Sequence, residues 1–141
     1  MAIFLQPYQK YAQFSGRATR SEYWGFYLFQ MLVGGALVLL MLVGGGFSIL
    51  AGAGTPHSQS LAAPAGGIVF LFAALVFVIF IFASLIPSYA VAARRLHDRG
   101  MTGWLQLLMF VPVGNLVLLV LLALPGNEGD NQHGADPKAV E

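Results

Sequence analysis

The sequence contains no cysteine, which excludes disulfide bonds, thiolate catalysis and cysteine-ligated zinc from its chemistry. Charged residues are also scarce, at 9% of the chain, whereas soluble domains carry about 25%. Asp, Glu, Lys and Arg are absent between Tyr23 and Arg94, and again between Gly100 and Asn127. Because a soluble protein could not cover its surface with such stretches, the composition predicts a membrane protein.

The net charge is only +1, and the basic residues fall in two short clusters. This distribution gives nucleic-acid binding little support. A cleaved secretory signal would place a short apolar run directly after a basic start, whereas the first long apolar run begins only at Trp24. That run is therefore predicted to be a retained membrane span, and neither a cofactor nor a metal is expected.

Three apolar stretches are long enough to cross a bilayer, at about 24–50, 68–92 and 104–124. Crossing about 30 Å of hydrocarbon takes roughly 20 residues, and in lipid each segment must satisfy its own backbone hydrogen bonds as a helix. The sequence therefore predicts an all-α membrane protein with three transmembrane helices. Residues 1–141 are expected to form a single membrane domain that ends in a polar tail, residues 125–141.

Two features precede the first span. Phe4, Tyr8 and Tyr11 recur at helical spacing, which predicts a short N-terminal interfacial helix that ends at Gly16. The segment Thr19–Glu22 then matches a capping box, in which the Thr19 side chain and the Glu22 carboxylate each satisfy a backbone N–H of the other residue. The first transmembrane helix is predicted to begin there.

The two predicted loops differ in charge. Loop 51–67 is rich in glycine and carries no formal charge, whereas loop 94–103 is dense in arginine and contains Gly100, which is placed to end the preceding helix. Basic residues gather on the cytoplasmic side of membrane proteins. The N-terminus and loop 94–103 are therefore predicted to be cytoplasmic. With three crossings, loop 51–67 and the C-terminus lie outside.

The arginine-rich loop offers several ion pairs. Arg94 and Arg95 lie four and three positions before Asp98, so both can share its carboxylate on a helix. If the first two spans pack side by side, Glu22 can pair with Arg94 or Arg95, and Asp98 with Arg17 or Arg20. The alternative is that these arginines only set the topology and anchor the helix end.

Catalytic and transport roles have weaker support in the sequence. His97 adjoins Asp98, but neighbouring helical side chains point about 100° apart, so the two do not form a simple general-base dyad. No span contains an ionisable residue that could bind a coupling ion or proton. Within the spans, Gly34 and Gly45 share one face for helix packing, and Gln30 and Asn115 are predicted to form interhelical hydrogen bonds.

Proline residues within the spans and polar residues in the tail lead to further predictions. Pro87 and the segment Pro112–Asn115 are predicted to kink the second and third spans. The tail has the Asp, Asn and Gly content of a calcium loop but lacks the spacing of an EF-hand, so turns explain it better. His57 and His133 are both predicted to lie outside, but two histidines do not make a zinc site.

Four blocks together resemble a known family: Phe14–Trp24, Arg94–Gly100 with Gly103 and Trp104, Pro112–Asn115, and the tail residues Asn131, Gly134, Asp136 and Pro137. The family is domain-of-unknown-function 805, the YhaH- and YhaI-like bacterial inner-membrane proteins. The resemblance covers nearly the whole chain and implies a multi-pass protein of the bacterial inner membrane. It implies no activity, because the family has none established.

The resulting hypothesis is a non-enzymatic protein that binds anionic lipid headgroups or a partner membrane protein, self-association included. Its predicted surface is a cytoplasmic rim of charged and aromatic residues near the lipid phosphates. Two alternatives stay open: an enzyme acting on a lipid or its precursor, and a small oligomeric transporter or channel. The rim consists of Arg17, Arg20, Glu22, Tyr23, Trp24, Arg94, Arg95, His97, Asp98, Arg99 and Trp104.

Overall fold

The computed structural model describes residues 3–53, 62–137 and 139. Regular secondary structure in these residues is helical, and the described ranges contain no β-strand beyond an isolated bridge between Asn131 and Gly134. The predicted all-helical class is therefore confirmed. The elements are a 3₁₀ helix Ile3–Leu5, α1 Gln6–Gln9, α2 Arg20–Ala53, α3 Ala62–His97, a second 3₁₀ helix Gly103–Phe110, and α4 Pro112–Ala123.

Helices α2 and α3 are long and apolar enough to cross a membrane. Their qualifying segments, Arg20–Ala51 and Pro64–His97, contain 32 and 34 residues. At about 1.5 Å per residue each exceeds the roughly 30 Å of a hydrocarbon core. Helix α2 is continuous through both of its glycine groups, so the first apolar stretch does not re-enter. Most large apolar side chains of both helices are exposed, as expected for surfaces that face lipid.

The start of α2 follows the predicted cap. The backbone N–H of Glu22 donates to Oγ1 of Thr19 at 3.2 Å, and the helix begins at Arg20. The Glu22 carboxylate, which the capping-box prediction aimed back at Thr19, accepts a hydrogen bond from Arg94 at 2.7 Å. In the ion pair with Arg94 both partners are charged, whereas in a cap bond from a backbone N–H only the carboxylate is. The cap is therefore confirmed on its threonine side.

The chain divides into two compact units, and the second, Gln30–Ala83, contains the C-terminal part of α2 and the N-terminal part of α3. Its closest helix approach lies at Gly44 and Gly66, where a Cβ on Gly66 would stand 2.7 Å from the carbonyl oxygen of Gly44. Gly45 faces Phe70 and Gly34 faces two further phenylalanines. The predicted glycine face is therefore a packing face, with its tightest point next to Gly45.

The first unit runs through Phe29 and resumes at Ser84. At its N-terminus the expected interfacial helix is shorter than predicted, because α1 ends at Gln9 and not at Gly16. Tyr8 packs edge-on against Phe26 at 5.1 Å, and its hydroxyl lies 2.7 Å from the Ser84 hydroxyl. The aromatic spacing that predicted a membrane-surface helix thus reflects, in part, packing against α2 and α3.

Gly100 ends α3 as predicted. Its φ of +67° is the left-handed conformation that glycine adopts without a Cβ penalty. The N–H of Gly100 donates to His97 O at 2.9 Å, and that of Met101 donates to Leu96 O at 3.1 Å. These two bonds form a Schellman motif, which satisfies the last helical carbonyls and turns the chain sharply.

The third apolar stretch, 104–124, is not the single kinked helix that was predicted. The chain breaks at Val111, which is extended, and Pro112 starts α4 at a position where its missing N–H costs nothing. The eight-residue 3₁₀ helix is roughly 16 Å long at about 2.0 Å per residue, and the twelve-residue α4 about 18 Å at 1.5 Å. Neither segment alone crosses a bilayer.

These two segments double back on each other. Leu118 and Leu122 of α4 pack on Leu96 at the end of α3, and Arg99 donates to Leu121 O at 3.1 Å. The start of the 3₁₀ helix and the end of α4 therefore lie together beside the same turn. We call Gly103–Ala123 the hairpin.

The hairpin places the tail beside the 94–103 turn. The backbone N–H of Asn127 donates to Asp98 O at 2.9 Å, so the two segments are in direct contact. The prediction placed them on opposite sides of the membrane by assuming a third complete crossing, and this contact does not fit that arrangement. The predicted outer loop is shorter than 51–67, since α2 extends to Ala53 and α3 begins at Ala62; His57 and Lys138 lie outside the described residues.

Candidate functional site

Five charged side chains that the sequence placed on a membrane-facing rim are buried together in the first unit. We call them the ionic cluster: Arg17, Glu22, Arg94, Arg95 and Asp98. None is more than 8% exposed, although charged groups are rarely buried unless they are paired. The cluster holds three guanidinium groups and two carboxylates, and it joins the segment before α2 to the end of α3.

The ion pairs follow the predicted pattern with one exception, since Arg94 does not share the Asp98 carboxylate with Arg95. Nη1 of Arg94 lies 2.7 Å from Oε1 of Glu22, and Nε of Arg17 lies 2.9 Å from Oδ1 of Asp98. Arg95 pairs with the other carboxylate oxygen of Asp98. The predicted pairings of Glu22 with Arg94 and of Asp98 with Arg17 are thus confirmed, and both oxygens of Asp98 are held by guanidinium groups.

Arg17 also holds the C-terminal tail. Its Nη1 donates to Gly129 O at 2.6 Å, and its Nη2 donates to Asn127 O at 2.7 Å. A second, longer ionic contact of 3.9 Å joins it to Asp136. The planar fork of a guanidinium can serve carbonyl and carboxylate acceptors at once, which a lysine cannot match. One side chain therefore ties the pre-α2 segment to the α3 turn and to the tail.

Two arginines of the 94–103 turn, Arg95 and Arg99, bind the C-terminal end of α4. Arg95 donates from Nε to Leu122 O at 3.2 Å and from Nη2 to Leu124 O, and Arg99 donates to Leu121 O. The last carbonyls of a helix have no intrahelical partner and carry the negative end of its dipole. Cations at this position therefore stabilise the end of the hairpin. Sequence reasoning did not anticipate this role.

Gly126 lets the tail pass directly over Asp98. A Cβ added at this position would overlap the Asp98 carboxylate. No other amino acid fits there unless the carboxylate moves away from its two arginines. Gly126 is therefore part of the site, although the sequence marked it only as a turn residue.

His97 lies at the edge of the cluster and contacts the tail. Its Nδ1 is 3.2 Å from Gly16 O, and its ring stacks on that of His133 with centroids 4.0 Å apart. Asn131 Nδ2 donates to the backbone oxygen of His97 at 2.9 Å. The imidazole is thus engaged by backbone and by a second imidazole, while both oxygens of the neighbouring Asp98 are bound to arginines. This arrangement does not favour a general base.

Arg94 is incompletely paired. It is 1% exposed, and its Nε and Nη2 have no hydrogen-bond partner within the described part of the chain. Unsatisfied buried donors are costly, and the cluster holds one more cation than anion. The Glu22 carboxylate is therefore indispensable to this guanidinium.

The remaining rim residues stay accessible. Arg20 is exposed and Arg99 partly exposed, and both are close enough to repel the charge of Arg95. The side chain of Trp104 is 77% exposed. Tyr23 and Trp24 are partly buried against each other, with ring centroids 5.3 Å apart. The predicted rim thus separates into a buried ionic cluster and an accessible patch of Arg20, Arg99 and Trp104.

The tail residues at the site were missed because the tail was placed on the other side of the membrane. A signal was present in the sequence: Pro112 interrupts the third apolar stretch near its middle, which is compatible with two short helices as well as with one kinked span. The tail is held mainly through backbone carbonyls, which leave no side-chain signature.

Comparison with known proteins identifies relatives over nearly the whole chain. The profile of the family described as "Protein of unknown function (DUF805)" matches residues 11–135. The inner membrane protein YhaI of Escherichia coli K12 is 34% identical over 98% of this chain and 97% of its own length. The inner membrane protein YhaH of the same strain is 32% identical over 98% of each chain. No solved structure matches the chain.

Proposed function

This chain belongs to the DUF805 family of proteins of unknown function, and we propose that it binds the phosphate groups of anionic lipids at the inner face of the bacterial inner membrane. The accessible patch of Arg20, Arg99 and Trp104 is the binding surface in this proposal. The ionic cluster supports that surface and does not itself bind lipid. The carrying observation is that Arg20 and Arg99 are accessible although the neighbouring charges of the ionic cluster are buried.

The location rests on the names of the relatives and on the charge distribution. YhaI and YhaH are named inner membrane proteins, and α2 and α3 are long enough to cross. In this proposal the chain is a single membrane domain with two complete crossings and a re-entrant hairpin. The N-terminus, the 94–103 turn and the tail are cytoplasmic, since basic residues concentrate there.

The charges of Arg20 and Arg99 support phosphate binding. Neither side chain forms an ion pair with another described residue, whereas Arg17, Arg94 and Arg95 do. Both flank Arg95, which adds a further positive charge behind them. Each basic residue near an anionic membrane surface contributes about 1 kcal/mol. Two such residues amount to a preference of roughly thirtyfold for anionic over neutral lipid.

The exposed ring of Trp104 also favours membrane binding by this surface. Trp104 stands at the start of the hairpin, where the chain leaves the 94–103 turn, and its ring is largely uncovered by protein. Indole rings favour the headgroup level of a bilayer, where the ring meets hydrocarbon and the N–H meets polar groups. The ring thus sets the depth of the neighbouring arginines.

Burial argues against lipid binding by Arg94 and Arg95, two residues of the predicted rim. Arg94 and Arg95 are each 1% exposed, and their nitrogens face Glu22, Asp98 and the carbonyls of α4. A headgroup could reach them only after the cluster opened. The proposal therefore assigns them to holding α2, α3 and the hairpin together.

Native mass spectrometry of the full chain in mild detergent tests the proposal. Phosphatidylglycerol and phosphatidylcholine are titrated separately, and bound lipids are counted. Replacing Arg20 and Arg99 by glutamine should lower the affinity for phosphatidylglycerol by ten- to thirtyfold and leave phosphatidylcholine binding unchanged. The charge-matched control replaces Lys10 and Lys138 by glutamine and should change the affinity less than threefold.

Two results would reject the site. An unchanged affinity in the double arginine variant shows that the patch does not bind headgroups, and an equal loss in both variants shows attraction by net charge alone. Lipid profiling of a deletion strain tests the enzyme alternative. A precursor that accumulates and is cleared by the wild-type chain but not by His97→Ala would favour catalysis.

A further inference from the structure

Helix α4 of the hairpin contains a polar residue, Asn115, among apolar ones. Asn115 lies one turn after the start of α4, and its side chain is exposed. Eight positions separate it from Ala123, which corresponds to about 12 Å along the helix axis. Because the end of α4 lies beside the arginine turn at the headgroups, this carboxamide reaches close to the middle of a bilayer about 30 Å thick.

Lipid tails cannot satisfy that carboxamide. It has two N–H donors and a carbonyl acceptor, and its side chain forms no hydrogen bond with another described residue. Its neighbours on the exposed surface of α4, such as Leu116 and Leu119, are apolar. A polar group surrounded by hydrocarbon is costly unless it is hydrogen-bonded, and helix association is the usual way to pair it.

The tip of the hairpin is also unsuited to contact with lipid. The backbone is irregular at Val111, Pro112 has no N–H, and Phe110 and Val113 are 73% and 71% exposed. Irregular backbone at membrane depth is tolerated where protein covers it or where it lines a watery cavity. The apolar side chains around the tip argue against a watery cavity and for a protein cover.

We infer that a second copy of this chain covers this face, and that the two Asn115 carboxamides bind each other across a twofold axis. An amide is both donor and acceptor, so two identical amides satisfy one another without any other polar group. A twofold interface brings each residue near its own counterpart, which makes a lone asparagine self-complementary. The interface rests on the proposed re-entrant course of the hairpin and is independent of lipid binding at Arg20 and Arg99.

Leu119 and Val117 provide a matched pair of positions for a cross-linking test. Leu119 is one turn beyond Asn115 on the same face, whereas Val117 points roughly 160° away; both are exposed. Because the chain has no cysteine, a single introduced cysteine gives one possible disulfide between copies. Leu119→Cys and Val117→Cys are oxidised in native membranes, and the cross-linked fraction is measured.

The expected result is a dimer band for Leu119→Cys at least tenfold stronger than for Val117→Cys. Adding Asn115→Leu to Leu119→Cys should lower the cross-linked fraction about tenfold, since model helices lose about that factor with one interhelical hydrogen bond. Leucine suits lipid, so the amount of inserted protein should be unchanged.

Four outcomes would overturn the inference. The first is the absence of a Leu119→Cys dimer when the protein is inserted, and the second is equal cross-linking at both cysteine positions. The third is an intact cross-link after Asn115→Leu, and the fourth is cross-linking of Leu119→Cys to a different protein, which would show that another partner covers this face. None of these outcomes depends on Arg20 or Arg99, so the lipid proposal stands or falls separately.

Discussion

Arg17 and Asp98 are 81 positions apart in the sequence, yet Nε of the arginine lies 2.9 Å from a carboxylate oxygen of the aspartate, and both side chains are buried. The same guanidinium donates to two carbonyls of the tail. This single contact point therefore fixes three segments that are remote in sequence. It also holds the tail beside the 94–103 turn.

Arg17→Lys is expected to release the tail while keeping the charge. Lysine cannot serve Asp98, Asn127 and Gly129 together, and hydrogen bonds from a charged donor contribute about 1.5–3 kcal/mol each. Limited proteolysis in detergent should cut the tail at least tenfold faster, with the site read by mass spectrometry. Arg20→Lys, on an exposed side chain, is the control and should leave the rate unchanged. Equal protection in both variants would contradict the assigned role of Arg17.

Glu22→Gln is expected to destabilise the protein strongly. Removing one partner of a buried ion pair leaves an uncompensated charge and costs about 3–5 kcal/mol. Two nitrogens of Arg94 already lack a hydrogen-bond partner, so no second acceptor is in place to replace Glu22. Thermal unfolding in detergent should show a clearly lowered Tm. Glu128→Gln, at an exposed position, should stay within about 0.5 kcal/mol of the wild type.

The double variant Glu22→Arg with Arg94→Glu exchanges the two charges of this ion pair. It tests whether charge pairing or side-chain packing stabilises the junction. If the ion pair is what stabilises this junction, the double variant should recover part of the Tm that Glu22→Arg alone loses. A double variant as unstable as the sum of its single changes would show that packing around Arg94 matters more than its charge.

Cysteine labelling in intact cells tests the two-crossing topology. Ala135→Cys in the tail and Ser15→Cys before α2 should both resist a membrane-impermeant maleimide, whereas Ser58→Cys in the uncharged loop between α2 and α3 should react. The absence of native cysteine makes each signal specific. Reaction of Ala135→Cys from outside would restore a third complete crossing and contradict the hairpin.

Gly66→Ala is expected to loosen the packing of α2 against α3. The added methyl group would stand 2.7 Å from Gly44 O and 2.9 Å from the Ser48 amide nitrogen, and overpacking of this kind costs about 1–3 kcal/mol. Gly46→Ala meets no atom within 4 Å and is the matched control, with unchanged or slightly raised stability. Equal effects of the two changes on Tm would show that Gly66 is not a close contact.

Local signals in the sequence predicted local structure well. Thr19 and Gly100 begin and end helices where their chemistry requires it, and the i,i+3 spacing of Arg95 and Asp98 predicted their ion pair. The packing of α2 beside α3 predicted the pair of Glu22 with Arg94, which forms in place of the predicted contact of Arg94 with Asp98. These features depend on a few neighbouring residues or on one assumption, that α2 and α3 pack side by side. The family resemblance is confirmed by the family match over residues 11–135.

The course of the hairpin and the position of the tail could not be predicted from local sequence signals. An apolar stretch long enough to cross a bilayer looks the same whether it passes through or turns back, and Pro112 is compatible with either course. The tail is held through the carbonyls of Asn127 and Gly129, which any sequence can offer. The predicted orientation assumed three crossings, and the contact between the tail and the 94–103 turn does not fit that assumption.

The doubled-back hairpin changes what insertion of the protein demands. In the proposed topology both chain ends stay on the side of synthesis, and the segment that traverses the bilayer is the one between α2 and α3, which contains no formally charged residue. Moving a charge across the membrane potential involves about 2.3 kcal/mol per 100 mV, and in that topology this chain moves none. Its assembly should therefore proceed in de-energised membranes, where proteins that export an acidic tail are delayed.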